Sequence, residues 1–298
     1  MKKLDYLCEL FLSESVKKRS EKIIIFISIL TFLLHLGFIF LNKLQIIKFE
    51  ELSKLLNNPI AAIYTPFSFI LIYEVYLLVY YLPKSTSIYI GKQYEIILLI
   101  IIRRIFKDIS NLKFTDNWFN IKYDVIFIYD LIAVIMLFYL IFKFYKLNNQ
   151  NINYIQKRGV SPNIEVEKFI KIKKYIATLL IPLILILSTY SLGSWIKESF
   201  FSVDKLMYNF TDVNKIFFDD FFTVLILVDV FLLLFSFLHS EKFNKVIRNS
   251  GFIISTIMIK LSFGTEGILN SILIVFSVVF GIIILAIHNE YEKLENNL

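Results

Sequence analysis

Four acidic residues interrupt long apolar runs: Glu74 in FILIYEVYLLVYYL, Glu95 in GKQYEIILLIII, Asp130 in DVIFIYDLIAVIM and Asp229 in VLILVDVFLLLF. Four basic residues do the same: Lys92, Arg103, Arg104 and Lys260. A charge at the centre of a bilayer costs at least about 2.5–3.5 kcal/mol on insertion scales, so such residues mark ion or proton sites or structural ion pairs. A carboxylate is the harder case, because it lacks the long stem with which Lys and Arg reach the interface.

Two constellations follow from spacing. Glu74 lies before the PKSTS hairpin and Glu95 after it, so in an antiparallel pair of helices both reach a similar depth, roughly 12 Å in. Lys92 is three residues before Glu95 and shares its helix face. One ammonium beside two carboxylates leaves a surplus negative charge or one shared proton. Glu74, Asp229, Glu95 and Lys92 are therefore the expected ion or proton pathway. Arg103, Asp130 and Lys260 are the expected intramembrane salt-bridge set on the opposite side. Arg103 and Arg104 sit near the end of a helix of roughly 33 Å, where their heads can snorkel to water.

These residues need a membrane to have this meaning, and the composition supplies it. The 298 residues are 57% hydrophobic and 17% aromatic, against about 45–50% apolar in soluble domains. Repeated apolar runs near 20 residues point to an all-α polytopic integral membrane protein; the alternating ten-residue segments of a barrel are absent. Eight spans are expected, at about 23–41, 60–82, 88–109, 123–145, 173–195, 217–239, 248–264 and 267–288. Assigning each of the 32 Lys and Arg residues to its nearer side places 20 with the N-terminus and 12 opposite. That excess predicts cytoplasmic N- and C-termini, and the richness in Ile, Lys and Asn points to the inner membrane of a bacterium as the cell membrane concerned.

The expected domains are an amphipathic interfacial helix at 1–22, a four-helix unit at 23–146, a basic cytoplasmic linker at 147–172, a second four-helix unit at 173–288 and a tail at 289–298. Leu4, Leu7, Cys8, Phe11 and Leu12 give the first of these one apolar face. The two halves match weakly. An offset of 155 residues sets Glu74 on Asp229, and two inserted residues then set Arg103 on Lys260. A four-span unit ends on the side where it began, so the two copies would be parallel repeats.

This order of features, an acidic second span, a short hairpin and a base late in the third span, resembles the phosphate-starvation-inducible E family of bacterial membrane proteins. The residues that carry the likeness are Glu74, PKSTS and Arg103, and in the second half Asp229 and Lys260, where Lys replaces Arg. The resemblance implies four-helix membrane architecture and no biochemical activity.

Other classes fall away. No HExxH, GxSxG, P-loop, Rossmann fingerprint or cysteine-based metal spacing occurs, so no enzyme, metal or cofactor is expected. The net charge of +7 clusters at span ends, which predicts contact with the lipid bilayer and its anionic lipids at the basic inner surface rather than with nucleic acid. A homo-oligomer is compatible with the sequence. A voltage-sensor reading fails because the fourth and eighth spans lack regularly spaced basic residues. His239 and His288 share a depth suited to a haem, but nothing else supports one. Pro66 and Pro182 are candidate kinks. The expected function is a cation or proton channel or transporter using intramembrane carboxylates. The alternative is a non-catalytic membrane protein in stress response, regulation or assembly, working through basic residues that include Lys171, Lys173 and Lys174.

Overall fold

A computed structural model describes residues 2–44, 59–109, 122–156, 164–201, 213–239, 243–265 and 267–295. Among these the chain is helical and contains no strand. The helices are α1 (Lys2–Phe11), α2 (Glu14–Lys43), α3 (Tyr64–Tyr81), α4 (Thr86–Ile109), α5 (Lys122–Gln156), α6 (Ile164–Phe201), α7 (Val213–His239), α8 (Phe243–Phe263) and α9 (Ile268–Glu295), with a 3-10 turn at Pro59–Ile63 leading into α3.

Local chemistry sets the boundaries. Ser13 separates α1 from α2: its extended backbone leaves α1, and its side chain accepts from the Val16 amide at 3.3 Å. Helix α2 then runs unbroken to Lys43, so residues 14–22 form the first turns of the apolar helix rather than part of a separate surface helix. Pro83 stops α3 because it cannot donate to the ladder, and the Ser85 carbonyl starts α4 by accepting from the Tyr89 amide at 3.0 Å. Gly267, at φ 64°, supplies the left-handed residue before α9. From α9, the Asn270 amide reaches back to the Ser262 carbonyl at 2.5 Å, satisfying one of the open C-terminal carbonyls of α8.

Among the described residues, five helical stretches are long and apolar enough to cross a membrane: Glu14–Lys43, Val125–Asn149, Asp220–Phe237, Phe243–Phe263 and Ile268–Leu294. Thr65–Tyr81 is a shorter apolar helix. This set is compatible with a membrane protein. Of these five, Phe243–Phe263 in α8 has the lowest mean hydropathy, for a reason. Ser255, Thr256 and Ser262 are fully buried, so its hydroxyls face protein while half of its apolar window is also covered. Helix α2 is the reverse, with 17% of its window covered and Phe26, Leu33 and Phe40 exposed.

The chain divides into two compact units built from alternating segments. One comprises 1–77, 102–128 and 178–218; the other 78–101, 129–177 and 219–298. In the first, His35 Nδ1 pairs with Thr65 Oγ1 at 2.5 Å, Tyr73 donates to Glu21 at 3.2 Å, and Tyr76 donates to the Phe11 carbonyl at 2.9 Å. Thr178 donates to Cys8 Sγ at 3.0 Å, so the apolar face of α1 packs on α6 through Cys8 while Leu7 and Leu10 stay exposed. Pro66 occupies the first turn of α3, where the missing amide costs no intrahelical bond, so it does not kink the helix as the sequence suggests. Pro182 does lie inside α6.

The second unit has an aromatic centre. Tyr94, Phe144 and Phe252 are each fully buried and meet edge to face, with ring centroids 5.1 and 6.0 Å apart. Gly281 on α9 makes this approach fit: a Cβ there would lie 1.8 Å from the Tyr94 hydroxyl. That hydroxyl pairs with Ser255 Oγ at 2.8 Å, and Ser255 donates onward to the Ser277 carbonyl at 2.8 Å.

Candidate functional site

The second unit holds the most unusual charged group. Asp229 lies near the middle of α7, flanked by Val228 and Val230, and is 8% exposed. An α-helix places residues 225, 229 and 232 on one face, and Leu225 and Leu232 are buried with it. The same packing that buries those leucines therefore carries the carboxylate into protein.

Two side chains of α4, one turn apart, reach it. Tyr89 donates to Asp229 Oδ2 at 3.5 Å, and Gln93 Nε2 donates to the same oxygen at 3.4 Å. The orientation of Gln93 is fixed from α8, where Thr256 Oγ1 donates to Gln93 Oε1 at 2.7 Å. The amide nitrogen is thereby left to face the carboxylate. Both bonds to Asp229 are long, near the limit at which a hydrogen bond retains strength.

Asp229 also forms part of a cavity wall. Leu82, Thr86 and Tyr89 line it from the α3–α4 hairpin, Phe169 and Lys173 from α6, and Asn249 and Phe252 from α8. The volume open to water centres is about 30 Å³, room for one or two waters. Lys173 is 6% exposed. Its ammonium donates to the Lys84 carbonyl at 3.4 Å and lies 5.2 Å from the Phe169 ring centre. A buried cation and a buried carboxylate thus share one small, partly polar space.

Lys173 corrects the sequence reading. The sequence groups it with Lys171 and Lys174 as a basic surface, yet only those two are exposed. Lys173 lies about 100° around the helix from Lys174 and about 200° from Lys171, so helical geometry turns it inward. Tyr89, Gln93, Thr256 and Lys173 were not identified as site residues from sequence. Tyr and Gln in an apolar run give no strong signal alone, although Gln93 and Thr256 are polar residues within expected spans.

The other sequence-predicted residues fall in different places. Lys92 and Glu95 form an ion pair at 2.6 Å, as their spacing predicts, and Tyr145 donates to the other Glu95 oxygen at 2.6 Å. Both remain partly exposed, with side-chain exposures of 25% and 35%. Glu74 is half-buried and belongs to the first unit, whereas Glu95 belongs to the second. Asp130 is fully buried and accepts from Ser271 Oγ at 2.7 Å. Arg103 is 4% exposed, so it is enclosed by protein rather than extended to an interface; Arg104, turned about 100° away, is partly exposed. Lys260 is half-buried in the last turn of α8.

A third polar cluster joins α8 and α9. Arg248 Nη1 donates to His288 Nε2 at 3.0 Å, while Glu292 lies 3.6 Å from the same ring nitrogen. Arg248 also donates to Asn249 Oδ1 from Nε and Nη2. The His239 side chain lies outside the described residues. Among the described residues, no group of three His, Cys, Asp or Glu side chains is placed to hold a metal ion.

Comparison of the chain with protein-family models, curated proteins and solved structures finds no match.

Proposed function

We propose that this chain is a polytopic membrane protein of about eight spans, arranged as two parallel four-helix repeats, that moves a cation or proton past buried carboxylates. The observation that carries the reading is Asp229, enclosed in an apolar helix and sharing a water-sized cavity with the buried ammonium of Lys173. A purely structural ion pair would close on itself with short bonds. Asp229 instead has two long donors and open space beside it. An ionisable group within a membrane span is costly enough to be a functional site by default.

Glu74 is the matching carboxylate of the first half, with Lys92 and Glu95 tuning the α4 side. Arg103, Asp130 and Lys260 each lie toward the opposite end of their own helix. The resemblance to the phosphate-starvation-inducible E family is consistent with the repeat and adds no activity. Both termini are proposed to be cytoplasmic in a bacterial inner membrane, on the Lys and Arg distribution.

The test is ion flux into liposomes containing purified protein, with wild type beside Asp229→Asn and Glu74→Gln. Flux that the Asp229 change removes supports the reading. Wild-type flux unchanged by both substitutions, with folding confirmed, would remove these carboxylates from the pathway.

A second reading rests on the exposed Lys168, Lys171 and Lys174 of α6. In it the chain is a non-catalytic membrane protein that docks a partner in stress response, regulation or assembly. A partner that co-purifies in mild detergent and is lost on Lys171→Glu with Lys174→Glu would favour it. Lys173 belongs outside that test because it is buried.

A further inference from the structure

The groups around Asp229 discriminate between the two kinds of cargo just proposed. An alkali or alkaline-earth cation needs a cage of oxygen acceptors, typically six or more for calcium. The side chains meeting Asp229 are instead donors. Tyr89 brings a hydroxyl hydrogen, and Gln93 brings its NH₂ because Thr256 holds its carbonyl oxygen. Lys173 brings an ammonium to the same cavity. A metal cation placed beside the carboxylate would face hydrogens and a positive charge. A proton needs no cage: it binds the carboxylate oxygen directly and leaves a neutral group in the buried site.

Among the described residues, the surroundings also offer the proton a route. The cavity reaches from Asp229 to Leu82 and Thr86 at the α3–α4 hairpin. Lys173 stands on this route, bonded to the carbonyl of the exposed Lys84. On the far side the path ends. Thr256 Oγ1 is within donating distance of both Gln93 Oε1 and the Phe252 carbonyl, and Ser255 donates to the Ser277 carbonyl. These donors end on backbone carbonyls and the Gln93 amide oxygen, acceptors that do not take up a proton. The charged and titratable groups that bear on Asp229 are Tyr89 from α4 and Lys173 from α6. Arg248 on α8 acts through its Coulombic effect on Lys173.

From this we infer that Asp229 is a proton-binding site and not a metal-cation site, loaded from the α3–α4 hairpin end through the water-sized cavity beside Lys173. This deepens the conduction reading, on which it rests for its role in transport, and it can fail separately. The proton moves between a cavity water and the Asp229 carboxylate. Uptake converts carboxylate to carboxylic acid, and release reverses it. Lys173 holds the cavity end of the route and compensates the charge of the ionised state.

The deciding experiment is infrared difference spectroscopy of the full chain in liposomes. Aspartate is labelled with carbon-13 at the side-chain carboxyl, so no substitution is needed to recognise an aspartic acid band. The expected result is a protonated-carboxyl band that appears and disappears reversibly with external pH. It should shift in deuterium oxide, ignore Na⁺ and K⁺, and be missing in Asp229→Asn. Asp229→Glu, which keeps a carboxyl, should restore a band without the aspartate label shift. Lys173→Met should slow its deuterium exchange severalfold. A wild-type band that does not respond to pH, or a carboxylate band displaced by Na⁺ or K⁺, would overturn the inference. Parallel flux measurements separate the two claims. Proton flux lost in Asp229→Asn supports both. Na⁺ or K⁺ flux lost in Asp229→Asn keeps conduction and overturns the proton site. A titrating band without any flux keeps the proton site and overturns conduction.

Discussion

The hairpin of α3 with α4 and the pair α7 with α8 carry matching features in the same order, yet their charges meet opposite fates. In the first, the acid Glu74 is half-buried and the base Arg103 is 4% exposed. In the second, the acid Asp229 is 8% exposed and the base Lys260 is half-buried. The first pair encloses its base and the second its acid. Burial of a charge is expensive without compensation, so the enclosed member of each pair is where a distinct role is concentrated. In the second pair that member has a cavity beside it. The lesson is that a similar order of residues along the chain does not set their surroundings; the packing around each charge decides which one can do chemistry.

The strongest way to break this comparison is to exchange the acids for amides. Asp229→Asn should bring flux to the level of protein-free liposomes, while Glu74→Gln should leave most of it. Equal losses would mean that the two carboxylates act as one site despite their different burial. The bases should show the reverse order in stability. Arg103→Met should destabilise the protein by about 1–3 kcal/mol, since removing an enclosed polar group leaves what packs against it unsatisfied. Lys260→Met should cost about 0–1 kcal/mol. Thermal unfolding in one detergent reads both, and a larger loss at Lys260 would invert the comparison.

Packing that belongs to the second unit alone gives a finer test. Gly281→Ala should cost about 1–3 kcal/mol, because the new methyl collides with the Tyr94 hydroxyl. Tyr94→Phe should cost about 1 kcal/mol for the lost bond to Ser255. The double variant should be more stable than the two losses added together, because removing the hydroxyl makes room for the methyl. Strict additivity in the same unfolding assay would mean that the two residues do not meet. Ser13→Ala should cost about 1 kcal/mol from the lost α2 cap.

Much of the fold was legible in the residues. Apolar runs of membrane length, the Pro83 stop and the Lys92–Glu95 spacing are local facts, and local facts survive folding. The site was legible only in part. Asp229 drew attention because an acid in an apolar run is costly wherever it ends up. Lys173 was misread as part of a basic surface, since its inward turn depends on which face of α6 is covered. Tyr89, Gln93 and Thr256 gave little signal, because a hydroxyl or amide is cheap enough in an apolar helix to be placed there for packing alone.

Taken by itself, the sequence determined that this chain is helical, that it has stretches able to cross a membrane, and that it keeps charges inside apolar runs. Those properties follow from hydrophobicity and period, which are carried by neighbours along the chain. The tertiary structure decided that Asp229 rather than Glu74 is enclosed, that Lys173 shares its cavity, and that hydrogen-bond donors surround it. Each of these is a contact between helices separated by many residues in sequence, where no rule of spacing operates and only the packing of whole helix faces selects the neighbours.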